Sequence, residues 1–161
     1  MSEKANENNP KIVDTFKDVL SSSYLSNALD FTDFLKEIGM TFVDNRFYYM
    51  EEPTCLLLCF EHESCPSGYW GIYDCPIMEY EGFPLEEDLQ EFARANVRIC
   101  QGECGCDVPR GGKCTIFGKE FDDVCSSNIV FHMPDSEALV KIKKLMLYWK
   151  LIISNSKKSQ I

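Results

Sequence analysis

Five of the nine cysteines fall between Cys100 and Cys125: Cys100, Cys104, Cys106, Cys114 and Cys125. Thiols this dense, set among Gly102, Gly105, Gly111 and Gly112, suit binding a metal or binding one another. Four thiolates at about 2.3 Å satisfy the tetrahedral preference of zinc. Cys100, Cys104 and Cys106 would supply three ligands from one loop. Cys125 would close the site from a distant segment, with Cys114 as the alternative fourth ligand. No open ligand position is implied, so such a zinc would be structural. The glycines let the loop turn tightly and aim N–H groups at sulfur. Arg98, Arg110, Lys113 and Lys119 would offset the charge of four thiolates. The spacing is not the paired C-x2-C knuckle, and it matches none of the usual iron–sulfur runs. No C-x-x-C frames a redox pair. A thiolate of this loop acting in an enzyme or redox sensor stays open beside the metal, as do thiols that merely pack as small hydrophobes.

Other residues offer less. His62 and His132 are the two histidines, and neither belongs to a spaced metal motif. Glu79, Glu81, Glu86, Glu87 and Asp88 read as a solvated acidic face. Arg110-Gly-Gly-Lys113 lacks the frame of a phosphate loop. The aromatics concentrate where a sheet is expected. Of these, Tyr49, Tyr69, Trp70 and Tyr73 are candidates for lining a ligand pocket or a protein interface, while core packing accounts for many strand aromatics. Cys55 and Cys59 share a strand face with Leu57, which predicts core packing. Cys65 and Cys75 flank Pro66-Ser67-Gly68, a turn signal, and are expected to be exposed.

The elements that must hold these residues follow from periodicity. Residues 1–9 are polar and read as a disordered tail. Pro10 opens a helix with Ile12, Val13, Phe16, Val19 and Leu20 at helical spacing. Ser21–Ser23 break the pattern, and a second helix is expected from an Asp30 cap to Gly39. Asp44-Asn45 predicts a hairpin between Met40–Val43 and Arg46–Met50. Further strands are expected over Cys55–Phe60, Tyr69–Asp74 with an extension at Ile77–Tyr80, Cys114–Phe117 and Asn128–His132. A helix is expected over Leu85–Val97. A long helix starts at Asp135, with Leu139, Ile142, Leu145, Met146, Trp149, Ile152 and Ile153 on its apolar face. Residues 154–161 read as frayed. The sum is a single α+β domain over 10–153, with N-terminal helices, a central antiparallel sheet and a C-terminal helix packed on the sheet. That helix has heptad-like spacing and would also suit a second copy; packing on the sheet is favoured.

Bulk properties narrow the function. The chain has 161 residues, enough for one domain with its own core. Net charge is −10. Residues 136–161 carry six Lys and one acid, so the rest of the chain is more acidic still. An acidic body repels phosphate backbones, which argues against a nucleic-acid partner. No apolar run approaches a membrane span, and no leader is visible, so neither a membrane partner nor export is expected. The cytoplasm is the expected compartment, where thiols stay reduced.

The stretch from Phe34 to Lys150 resembles a family of small bacterial proteins with no assigned function. The likeness rests on a Phe34-Leu-x-x-x-Gly-Met helix end, a tryptophan strand, the Cys-x-x-x-Cys-Gly loop and the block Ile116-Phe-Gly-Lys-Glu-Phe-Asp-Asp-Val-Cys125. It marks Cys100, Cys104, Cys106 and Cys125 as the matched cysteines, leaves Cys114 outside the pattern, and implies no activity. The leading expectation is a domain that binds a small molecule or a partner, braced by the cysteine loop. A thiol-dependent enzyme or redox sensor, and a protein-interaction module, are the alternatives.

Overall fold

The computed structural model describes residues 10–63, 65–75, 83–101 and 111–159. Helix α1 (Pro10–Val19) is followed by α2 (Ser22–Glu37) and strands β1 (Thr41–Val43), β2 (Arg46–Tyr49), β3 (Glu52–His62) and β4 (Cys65–Cys75). Helix α3 (Glu87–Ala95), strands β5 (Val97–Ile99), β6 (Gly112–Ile116) and β7 (Lys119–His132), and helix α4 (Ser136–Lys158) complete the chain. The strands form one antiparallel sheet in the order β1-β2-β3-β4-β7-β5, with β6 also paired to β7. This is the expected α+β architecture. The expected strand over Ile77–Tyr80, the tail 1–9 and most of the cysteine loop lie outside the described residues.

Local chemistry sets the hairpins. Three two-residue turns put both central residues at positive φ: Asp44-Asn45 (49° and 64°), Met50-Glu51 (50° and 71°) and Phe117-Gly118 (46° and 72°). Such turns match the right-handed twist of the strands they join. Gly39 ends α2 at φ 82°, and the Met40 N–H returns across it to the Leu35 carbonyl. Asp135 caps α4 by accepting from the Ala138 N–H at 2.8 Å.

The helices share one core with one face of the sheet. Phe16 of α1, Phe31 and Leu35 of α2, and Ile142 and Trp149 of α4 meet Phe47, Leu57, Trp70, Ile72, Ile129 and Phe131 in a single buried cluster. All seven residues assigned to the apolar face of α4 are buried. That face is spent inside the domain, against α2 and the sheet. Among the described residues no helix is long and apolar enough to cross a membrane.

Several boundaries differ from expectation. Helix α2 begins at Ser22, not Asp30: Ser21 holds the N-cap position in extended conformation, without a side-chain cap bond, and its carbonyl accepts from the Leu25 N–H at 2.8 Å. Pro66-Ser67-Gly68 lies inside β4 rather than in a turn. There Gly68 adopts φ 74° where the strand passes the end of α1. Strand β7 runs unbroken from Lys119, so Asn128–His132 is only its last part. Helix α4 continues through 154–158 rather than fraying: Ser154 Oγ meets Tyr49 Oη at 3.1 Å and Lys157 pairs with Glu52 at 2.8 Å.

Candidate functional site

The face of the sheet opposite the core carries the site. Side chains alternate along a strand, so Cys55 and Leu57 on β3 and Trp70 and Ile72 on β4 point to the helices. Leu56, Leu58 and Phe60, and Tyr69, Gly71 and Tyr73, therefore point the other way. Register aligns them: Leu56 with Tyr73, Leu58 with Gly71, Phe60 with Tyr69. On the next strand His132 sits opposite Gly71. No described helix covers this face, and Phe60 is 42% exposed.

Gly71 makes the centre of the site. A Cβ there would come within 2.8 Å of Tyr73 Cε2 and 3.0 Å of the Tyr69 hydroxyl. The two phenols instead close over the glycine, with their oxygens 2.7 Å apart. His132 Nδ1 is hydrogen-bonded to the Tyr69 hydroxyl and lies 3.4 Å from that of Tyr73. Phe60 stacks on Tyr69 at 4.7 Å between centroids, and the Tyr73 ring meets His132 edge-on at 5.6 Å. Arg98 of β5 reaches across β7 to place its guanidinium 5.7 Å from the centre of the Tyr73 ring.

The electrostatics follow from burial and from Arg98. Burial first, then the hydrogen bond to Tyr73, pushes the Tyr69 phenol well up, so it remains an O–H donor at all physiological pH. Burial first, then the Arg98 charge, holds His132 below its ordinary value, so its ring is neutral near pH 7. In the neutral ring one nitrogen carries the hydrogen, and the tautomer decides whether Nδ1 accepts from the Tyr69 hydroxyl or donates to it.

The sequence candidates separate in space. Tyr69 and Tyr73 come together here. Trp70 does not: it is fully buried, edge-on to Phe16 at 6.1 Å, and serves the core. Tyr49 packs against the core, bonded to Ser154 with Lys150 over its ring at 5.2 Å, and ties β2 to α4. Sequence pattern assigns His132, Arg98 and Phe60 no place in a binding surface, because their proximity comes from strand register. The usable signal was Tyr69-x-Gly71-x-Tyr73, a period-two pattern with a glycine gap.

The cysteines divide likewise. Cys55 and Cys75 are buried in the core, so the expected exposure of Cys75 is corrected. Cys65 is half-buried, its thiol 3.0 Å from the Gly68 carbonyl. Cys59 packs against the core, and burial raises its thiol to about 11. Cys100 follows β5, its N–H donating to the Asp123 carbonyl at 2.6 Å, and Cys125 is buried on β7. Cys114 lies opposite Phe121 on β6. Cys104 and Cys106 lie outside the described residues. Among the described residues no three of His, Cys, Asp and Glu form a metal-holding group.

Two open grooves lie elsewhere. The larger, about 540 Å³, runs between α3 and the β6–β7 turn, past Glu87, Gln90, Arg94 and Phe117. Arg94 braces its wall by donating to the Phe117 carbonyl at 2.8 Å. The smaller, about 230 Å³, lies over Cys114 and Phe121. Compared with protein-family models, curated proteins and solved structures, the chain matches none.

Proposed function

We propose that this protein is a binding domain whose working surface is the helix-free face of the sheet around Phe60, Tyr69, Tyr73 and His132. One observation carries the reading: two tyrosines and a histidine from two strands are hydrogen-bonded into one cluster above a glycine, on a face that contributes nothing to the main core. Tyrosine, histidine and arginine offer apolar area and polar tips together, as binding surfaces require. Ligand screening by protein-observed NMR, with a library of small aromatic fragments, tests it. Amide shifts on binding should concentrate on residues 56–60, 69–73, 98 and 132. Hits that gather in the α3 groove, or scatter with no common site, would remove the reading.

A structural zinc held by Cys100, Cys104, Cys106 and Cys125 accompanies this proposal. Strand register supports it: Ile99 lies opposite Val124, so Cys100, just past β5, falls opposite Asp123 and diagonally across from Cys125 of β7. Such a metal would brace the sheet edge next to Arg98. Metal analysis of protein purified without added zinc should give about one equivalent per chain. Finding none would sink the metal and leave the aromatic surface standing.

A further inference from the structure

We infer that the Tyr69–Tyr73–His132–Arg98 cluster binds the oxyanion head of a small ligand, a phosphate monoester, with an apolar ring of the ligand lying against Phe60. The inference rests on the proposed binding surface and assigns its ligand class.

The cluster offers donors and no negative charge. Among the described residues, the Arg98 guanidinium is the charge that acts on both Tyr69 and His132. Among the described residues no carboxylate lies within ion-pair distance of Arg98. Several basic side chains elsewhere are ion-paired, among them Arg94 with Glu87, Lys113 with Asp122, Lys143 with Asp30 and Lys157 with Glu52. In a chain of net charge −10, a cation without a carboxylate and beside two phenols is a local positive site.

The hydrogen-bond network can adapt to such a head: the two hydroxyls and the His132 ring share hydrogens among themselves, and the tautomer with hydrogen on Nε2 offers a ligand oxygen a donor. The imidazole N–H and the guanidinium fork suit the oxygens of a phosphate, which Arg binds in bidentate fashion. Phe60, stacked on Tyr69 and partly exposed, supplies an apolar platform at the margin. Head and platform together define an amphiphilic ligand such as an aryl phosphate. The larger groove also sets a cation, Lys119, beside an aromatic, Phe117, but it adds the carboxylates of Glu87 and Glu91, which an oxyanion would meet.

The two histidines make the test direct, because ring-proton NMR then reports His132 with His62 as internal reference. The probes are phenyl phosphate and benzyl alcohol at constant ionic strength. Phenyl phosphate should shift the His132 signals saturably and leave those of His62 in place. Arg98→Gln should weaken that binding at least tenfold, and Arg98→Lys should weaken it less. Benzyl alcohol should bind at least tenfold more weakly than phenyl phosphate. Equal shifts at both histidines, or unchanged affinity in Arg98→Gln protein with a native amide spectrum, would overturn the inference. Equal affinity for benzyl alcohol would also overturn it, while leaving an apolar binding surface intact.

Discussion

Gly68→Ala is expected to cost about 3 kcal/mol of folding stability, which lowers Tm by roughly 10 °C in a domain of this size. Two effects add at this position. Gly68 adopts φ 74°, where an L-residue pays about 1–2 kcal/mol. A Cβ there would also lie 2.2 Å from the Val19 carbonyl oxygen, which is backbone and cannot swing aside as a side chain would. The contact is the seam between α1 and β4, where the Ser21 N–H donates to the Ser67 carbonyl at 3.0 Å. Relief would therefore pull α1 off the strand and loosen Phe16 from Trp70. Gly118→Ala supplies the control. Gly118 has nearly the same φ, 72°, but an added Cβ would meet nothing within 4 Å. It should cost only the conformational part, about 1 kcal/mol. Chemical denaturation of the two variants separates the effects. Equal losses would mean that α1 yields freely and that the close approach carries no energy.

The elements were legible where a single segment held the whole signal. Helix α4 announced itself through Leu139 to Ile153 and its Asp135 cap, and the Asp44-Asn45 hairpin through two residues that accept positive φ. Legibility failed where partners are distant. Ser21–Ser23 read as a break because serine also caps helices; Leu25, Ala28 and Leu29 continue the spacing of Phe31, Thr32 and Leu35 and would have extended α2 back to Ser22. Strand β7 was hidden by Asp122, Asp123 and two serines, residues poor in strand propensity that are carried here by pairing to both β5 and β6. Trp70 and Tyr73 looked alike as strand aromatics, yet lie on opposite faces because they are an odd number of residues apart. Arg98 and His132 carry no local motif at all. They reach Tyr69 and Tyr73 only because β7 lies between β4 and β5.

Gly71→Ala is expected to dismantle the site while leaving the fold in place. Gly71 lies three residues from Gly68 on the same strand, but its surroundings differ in kind. Its added Cβ would meet Tyr73 Cε2 at 2.8 Å and the Tyr69 hydroxyl at 3.0 Å, both far ends of side chains, and the Phe131 carbonyl at 3.2 Å. The rings can swing away, and alanine suits a strand better than glycine by about 0.5–1 kcal/mol. Net loss of stability should therefore stay within about 1 kcal/mol. The phenols, however, can no longer close over the backbone, so the Tyr69–Tyr73 hydrogen bond and the contact with His132 are lost together. His132 is held below its ordinary value first by burial under these rings. Burial disfavours the charged imidazolium, so removing it must move the His132 midpoint upward. NMR titration should show that rise in Gly71→Ala, with the His132 ring protons losing the shifts imposed by Tyr69 and Tyr73. Affinity for phenyl phosphate should fall at least tenfold in the same protein. An unchanged His132 midpoint would show that the cluster does not depend on the glycine gap. A raised midpoint with undiminished phenyl phosphate binding would separate the two claims: the cluster would stand as described, and the oxyanion would have to bind elsewhere.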